Sequence, residues 1–372
     1  MKVLHVYRTY FPDPPGGLQE AIRQICLSTQ AFGVENTIFA LSPTPQPQVI
    51  TFPEANVIRC RSWAAPASCD LGGWNAVQTF RSLAKQADII HYLFPWPFGD
   101  LLHELAPQKP SVLTYISDIV RQKWLGVVYA PLMWRTLRSM DAIVSNAPGY
   151  ADSSPVLKTS MIGPRVRQIP LGIEESSYNA EADNKILARL GLANESFVLF
   201  LGALRYYKGL HVLLDAAKHV RSKVVIAGSG PEGPALKSQV DRLGLQNAIF
   251  AGQITEAEKM ALLGACRALV LPSHLRSEAY GMVLVEASMF GKPMVTCEIG
   301  TGTSFINQHM ETGFVVSPDA PRELAEAINT LLADDELADR FGRAARQRYE
   351  AHFSGSALGQ AYAQLYRDVL AR

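Results

Sequence analysis

Residues 197–220 read FVLFLGALRYYKGLHVLLDAAKHV, and KVVIAG follows at 223–228. FVLFLG is a continuous apolar run, which suits a strand covered on both faces of a parallel sheet. LHVLLDAAKHV (210–220) mixes apolar and polar residues at helical spacing. Strand, loop, amphipathic helix and second strand together make a βαβ unit. The same pattern runs outward in both directions, with strand-like stretches at 2–7, 36–41, 88–93, 111–116, 142–146, 247–252, 268–273, 293–298 and 314–316. Strands alternating with helices predict an α/β chain with doubly wound parallel sheets.

The alternation pauses at IPLGIEESSYNAEADNK (169–185), a polar stretch holding Pro170 and Gly172. That reads as a linker. Two Rossmann-like domains are therefore expected, at 1–170 and 171–353, and 372 residues are ample for two cores. The chain is helical in pattern over 321–353 and again over 354–372. In open α/β sheets, ligands bind beyond the carboxyl ends of the strands. Two such domains facing each other would enclose a cleft, so functional residues are expected in loops that follow strands.

Composition sets the outer limits. A chain 48% hydrophobic and 19% charged is globular rather than disordered. A net charge of +1 argues against a dedicated nucleic-acid binder. The five cysteines are scattered without a CxxC pair, which reads as reduced thiols, and no metal cluster is apparent. Met-Lys-VLHVY ahead of Arg8 is too short and polar for a signal sequence. No apolar run approaches the ~18 residues that span a bilayer, so a cytoplasmic location is expected. Residues 1–170 carry 15 Lys and Arg against 11 Asp and Glu, whereas 171–372 carry 20 against 23. The segment RQKWLGVVYAPLMWRTLR (121–138) joins basic residues to Trp124 and Trp134. It would suit peripheral contact with an anionic membrane on the inner face of the plasma membrane. Ordinary core packing of its aromatics is the equal alternative.

Three loops could carry chemistry. GALRYYKG (202–209) follows a strand and opens a helix, with Arg205 and Lys208 placed where a helix start already favours anions. A phosphate or diphosphate would fit there, against the alternative of a solvated basic turn. PDPPGGLQE (12–20) offers Gly16 and Gly17 to a close-approaching ligand, although Gly-Gly often marks only a turn. AGSGPEG (227–233) is a further glycine-rich loop without a strict dinucleotide fingerprint. SEAYGMVLVEASMFGKP (277–293) places Glu278 in a loop and Glu286 about a turn inside a helix. Two carboxylates at different depths can accept hydrogen bonds from two polyol rings, with the amides of Gly281 and Met282 left for phosphate. On spacing alone, two ordinary helix-surface acids are the simpler reading.

Taken together, the E-x7-E segment, LGALRYYKG, the Gly-Gly loop and IPLGI resemble family 4 retaining glycosyltransferases of the two-domain GT-B architecture. The resemblance runs over essentially the whole chain. HVYRTYFPDPPGG, FPWPF and SDIVRQK bring it nearest to bacterial mannosyltransferases and rhamnosyltransferases of O-antigen and capsule assembly. It implies Glu278 on hydroxyls of the donor sugar, with amides of the Ala279–Val283 loop, those of Gly281, Met282 and Val283 among them, meeting sugar and phosphate. It implies Glu286 on the ribose, and Arg205 and Lys208 on the diphosphate and leaving group. Gly16 and Gly17 would approach phosphate or acceptor, GQIT (252–255) would border the base, and the helix from about Ser354 would cross back to the N-terminal domain. The implied reaction uses a nucleotide-sugar donor as co-substrate, with no cofactor and no metal, and a saccharide or lipid-linked saccharide as acceptor. The donor expected is GDP-mannose or a GDP-6-deoxyhexose such as GDP-rhamnose.

One position departs from the family pattern. The family commonly has histidine after the strand SVLTYI, whereas TYISD here has Ile116. That implies either a changed sugar preference or reduced activity. His91 and His103 lie nearby, outside that motif, and read as structural. The alternatives to a GDP-sugar transferase are a UDP-sugar transferase, a nucleotide-sugar epimerase and a non-catalytic sugar-nucleotide-binding protein.

Overall fold

The computed structural model describes every residue except 14, 15, 67, 68, 117, 119–122, 179 and 194, and for 123–128 it gives the backbone alone. The chain divides into two compact units. One is Met1–Glu174 together with Ser354–Arg372, and the other is Glu175–Phe353.

The first unit is built on nine strands among the described residues: β1 (Lys2–Val6), β2 (Glu35–Ser42), β3 (Val49–Thr51), β4 (Asn56–Ala64), β5 (Leu71–Gly72), β6 (Ile89–Phe94), β7 (Ser111–Tyr115), β8 (Ala142–Ser145) and β9 (Val166–Gln168). The sheet order is β3-β4-β2-β1-β6-β7-β8-β9, with β5 paired to β4. All pairs are parallel except β3 with β4 and β5 with β4. The central strands β6 and β7 are buried along their whole length, as their unbroken apolar runs require.

Strand β4, NVIRCRSWA, is not evident from its sequence, because Arg59 and Arg61 interrupt the apolar run. Its burial depends on a distant partner. Arg59 is 4% exposed and meets Asp13, which is 7% exposed, at 3.3 Å. The same guanidinium donates to Ser42 Oγ at 2.7 Å and to the Thr44 carbonyl at 2.9 Å. A buried charge of this kind is tolerable only when paired and hydrogen-bonded. The result ties the loop after β1 to the end of β2.

The last helix, Gly355–Leu370, belongs to this first unit. It lies against the helix Gly17–Gln30 so closely that a Cβ at Gly359 would stand 2.0 Å from the Ser28 carbonyl oxygen. Its buried tyrosines find partners in the sheet: Tyr362 with Thr114 Oγ1 at 2.9 Å, and Tyr366 with His91 Nδ1 at 2.8 Å. His91 also bonds Thr114 through Nε2 at 2.7 Å. Burial, with His5 beside it, holds its pKa well below the usual histidine value. His91 is thus a core histidine of this unit. His103 bonds Ser139 Oγ at 2.7 Å. Residues 171–174 stay with this unit as well, because Glu174 N–H donates to Gln24 Oε1 at 2.6 Å and Ile173 bridges to Ser354.

Among the described residues the second unit has six parallel strands, β10 (Phe197–Leu201), β11 (Lys223–Ala227), β12 (Ala248–Gly252), β13 (Ala268–Leu271), β14 (Met294–Cys297) and β15 (Gly313–Val316), in the order β12-β11-β10-β13-β14-β15. The order reverses direction between β10 and β13. Such a reversal is the topological switch point where open α/β sheets place ligands. The helical stretch expected over 321–353 comprises Pro321–Ala333, Asp335–Arg348 and a π-helical turn Tyr349–Phe353. It breaks at Asp334, whose side chain accepts from the Leu337 N–H and caps the next helix.

Candidate active site

The loops beyond β10 and β13 meet because those two strands are neighbours in the sheet. Beyond β10, a 3₁₀ turn at Tyr206–Lys208 closes on Gly209. Gly209 has φ 68°, and a Cβ there would stand 2.0 Å from the Pro272 carbonyl oxygen, so only glycine fits. That close approach brings Lys208 to the loop after β13. Its Nζ donates to Glu278 Oε2 at 2.5 Å, and Ser273 Oγ donates to the same oxygen at 3.2 Å.

Both side chains are nearly buried, at 12% exposure for Lys208 and 10% for Glu278. Burial works against the Lys208 ammonium, but the Glu278 carboxylate, helped by Tyr207 and the hydrogen bond, outweighs it and raises the lysine pKa. Lys208 is therefore a fixed cation. Among the described residues, Glu278 Oε1 accepts no hydrogen bond, and two of the three Lys208 N–H donors remain open. The sequence places Lys208 and Glu278 as separate ligand groups; the structure joins them in one ion pair. Arg205, at the N-cap of the same turn, is exposed and extended.

Glu278 leads into the helix Met282–Met289, whose N-cap is Gly281. The first amides of a helix have no acceptor inside it, so those of Met282 and Val283 form an anion-favouring end. Glu286 lies about a turn further on. Its Oε1 accepts from Lys259 Nζ at 2.9 Å and from the Tyr178 hydroxyl at 2.5 Å. Lys259 lies 4.6 Å from the Tyr178 ring centroid and pairs with Glu256 at 2.6 Å. Burial lowers the Lys259 pKa, but Glu286 and Glu256 reverse that and raise it. The sequence reading includes neither Lys259 nor Tyr178, and no local signal marks them, since each lies far along the chain from Glu286.

A second layer holds the cationic turn. The His274 N–H donates to the Tyr207 carbonyl at 3.0 Å, and its ring bonds the Tyr206 carbonyl through Nε2 at 3.1 Å. Ring Nδ1 meets Asp319 Oδ1 at 2.9 Å. Asp319 has φ 56°, a left-handed conformation uncommon outside glycine. His211, His274 and Asp319 bring three potential metal-ligating atoms within 4.8 Å of one another. Both His274 nitrogens, however, already face partners on the chain. The glycine-rich loop after β11 joins the same group of loops, through Leu204 N–H to the Ser229 carbonyl at 3.0 Å and Ser229 Oγ to Gln253 Oε1 at 2.8 Å.

In the first unit, Gly16 caps the helix Gly17–Gln30 in an extended conformation. Gly17 is exposed, and among the described residues none beyond its chain neighbours and its own helix backbone lies within 4 Å of where a Cβ would stand. Ile116 sits half-buried just past β7, its N–H donating to the Phe94 carbonyl at 3.3 Å. The neighbouring Asp118 fixes this loop by accepting from Tyr115 at 2.9 Å and Ser154 at 2.7 Å. Much of SDIVRQK lies outside the described residues, as do Arg121, Gln122 and the side chains of Lys123 and Trp124 in the basic segment 121–138. Of the rest of that segment, Arg135 pairs with Glu104 at 2.7 Å and Arg138 lies 5.9 Å from the Trp134 ring centroid. Among the described residues, no helix is long and apolar enough to cross a membrane.

Comparison with known proteins decides the class of chemistry. The profile of glycosyl transferases group 1 matches residues 183–348, and that of the glycosyl transferase 4-like domain matches residues 16–172. The chain belongs to the glycosyltransferases. This glycosyltransferase is 42% identical to D-rhamnosyltransferase WbpZ of Pseudomonas aeruginosa over 95% of its own length and 92% of that protein. It is 40% identical to O-antigen chain mannosyltransferase C of Escherichia coli, over 100% of its own length and 99% of that protein. Its fold matches the solved sucrose-phosphate synthase of Thermosynechococcus elongatus with a TM-score of 0.79 at 23% identity, over 100% of this chain and 99% of that one. It matches WaaG, a glycosyltransferase of lipopolysaccharide biosynthesis, with a TM-score of 0.70 at 18% identity, over 98% and 99%. The fold is thus the two-domain GT-B type.

Proposed function

We propose that this glycosyltransferase moves mannose or a 6-deoxyhexose such as rhamnose from a GDP-sugar to a growing, lipid-linked surface polysaccharide of the O-antigen kind, with retention of anomeric configuration. The observation that carries the reading is the buried Lys208–Glu278 pair, set where the sheet order reverses and directly ahead of an open helix N-terminus. The sugar class and the acceptor follow the names of the two near-full-length relatives.

In this reading Lys208 and Arg205 neutralise the diphosphate as the glycosidic bond breaks. Most of the rate gain comes from that preorganised positive charge, together with the Met282 and Val283 amides. The second oxygen of Glu278 accepts a hydroxyl of the donor sugar, and that of Glu286 accepts a ribose hydroxyl. Attack takes place on the face the leaving group departs from. A departing phosphate oxygen receives the acceptor's proton, so the chain need not supply a base. The donor acts as co-substrate, and neither cofactor nor metal enters a step. Gly16 and Gly17, both exposed, would approach phosphate or acceptor.

The test is transfer from GDP-mannose, GDP-rhamnose and matched UDP-sugars to a lipid-linked acceptor, with the product anomer read by NMR. Retained configuration from a GDP-sugar is expected. Transfer only from UDP-sugars would overturn the base, an inverted product would overturn the stereochemistry, and conversion of the donor without acceptor would favour an epimerase.

A further inference from the structure

Two tryptophans of the first unit stand out of the surface. Trp63 is 71% exposed and Trp74 is 67% exposed. Burying an indole is strongly favourable, and these two flank one residue, Gly73, with Trp63 Nε1 close to it and Trp74 following it in the chain. Their position is specific. Strand β4 runs parallel to β2, whose last residue, Ser42, is in register with Arg61. Beyond that point β4 continues past the carboxyl end of β2 and pairs with β5. Trp63 lies on this overhang, and Trp74 begins the helix Trp74–Gln86 that follows β5.

The Trp63 ring has two neighbours. Its Nε1 edge comes close to Gly73, where a Cβ would stand 2.6 Å from it. The Arg61 guanidinium lies 5.4 Å from the ring centroid. Trp74 comes directly after Gly73. A glycine and a cation–π contact thus hold one edge and one face of an otherwise exposed indole. The strand beneath is anchored by the buried Arg59–Asp13 pair, two residues before Arg61.

We propose that Trp63 and Trp74 form a stacking platform for pyranose rings of the saccharide acceptor; this rests on the acceptor reading given above. A pyranose presents one face of C–H bonds and a rim of hydroxyls. Its C–H face suits the electron-rich face of an indole, and Arg61 can donate to the rim. The overhang lies beyond the carboxyl end of a parallel sheet, where ligands of such sheets bind. A membrane surface is the rival occupant. An anionic bilayer would select a cluster of lysines and arginines around the aromatics, whereas among the described residues Arg61 alone lies over the Trp63 ring.

The test uses the full chain and its variants Trp63→Ala, Trp74→Ala and Gly73→Val. Gly73→Val keeps both indoles but lifts Trp63 from its seat. Binding of a panel of manno- and rhamno-oligosaccharides is read by saturation-transfer NMR, and KM for acceptor and for GDP-mannose are measured separately. Each variant should weaken oligosaccharide binding and raise acceptor KM about three- to tenfold, with donor KM unchanged and, in the two tryptophan variants, melting temperature unchanged. Unchanged acceptor binding in Trp63→Ala and Gly73→Val would overturn the platform. So would loss of retention on phosphatidylglycerol vesicles at constant acceptor KM, which would assign the pair to a membrane. If no oligosaccharide binds the wild-type chain while GDP-mannose still raises its melting temperature, the platform fails and the donor reading stands. If oligosaccharides bind through the two tryptophans but GDP-mannose does not bind, the donor reading fails alone.

Discussion

Replacing Lys208 with alanine should cost stability as well as turnover. The substitution leaves the Glu278 carboxylate, 10% exposed, with Ser273 Oγ as its remaining donor. Breaking a buried pair by removing one partner typically costs about 3–5 kcal/mol. The Ser273 hydrogen bond and the residual exposure place this case at the low end, at about 3 kcal/mol. For a unit of this size, about 2–4 °C is lost per kcal/mol, which gives a fall of roughly 6–12 °C. Calorimetry of the full chain should show that fall in one transition. Adding Glu278→Gln removes the stranded charge, so the double variant should regain about half of the loss. Turnover should fall further than stability explains, because a charge-assisted hydrogen bond to the leaving group contributes about 1.5–3 kcal/mol. Melting of Lys208→Ala within 2 °C of wild type, with no recovery in the double variant, would refute the claim that this pair is desolvated and mutually dependent.

Glu286→Ala should raise donor KM by about 10- to 100-fold, as expected for losing a charged hydrogen bond, while Lys259 keeps Glu256 as its partner; unchanged donor KM would remove Glu286 from the ribose site. Ile116→His should shift preference from GDP-rhamnose toward GDP-mannose. An apolar contact to a sugar methyl discriminates by about 10- to 200-fold at most, and equal gains on both donors in side-by-side turnover would show that Ile116 affects activity rather than choice. The chain should sediment with anionic but not neutral vesicles at low salt if the segment 121–138 meets lipid, and equal recovery in both supernatants would exclude it. His5 is fully buried, and burial holds its pKa down to about 4, against an opposing hydrogen bond that its ring donates to Asn36 Oδ1. The folded state therefore binds fewer protons than the unfolded one between about pH 6.5 and 4. Its contribution is intact above pH 6.5 and is lost as the pH falls toward 4, by about 3 kcal/mol in all. Acid titration of His5→Gln should show a shallower decline than wild type.

The strands at the centre of both sheets were legible because their information is local. FVLFL, KVVIA and ALVL are apolar throughout, and no partner is needed to read them. The helix Met282–Met289 and its glycine N-cap were legible for the same reason. Strand β4 was not, because Arg59 enters the interior only when Asp13, 46 residues away, neutralises it. The site divides along the same line. The sequence, through its family resemblance, singled out Lys208 and Glu278 in loops that follow strands and Glu286 about a turn inside a helix. It could not show that Lys208 and Glu278, 70 residues apart, are one ion pair, or that Lys259 and Tyr178 hold Glu286. The Lys208–Glu278 contact exists because β13 lies beside β10 although β11 and β12 come between them in the chain. Strand order is set by how whole layers bury their apolar faces, and no short stretch of residues encodes it.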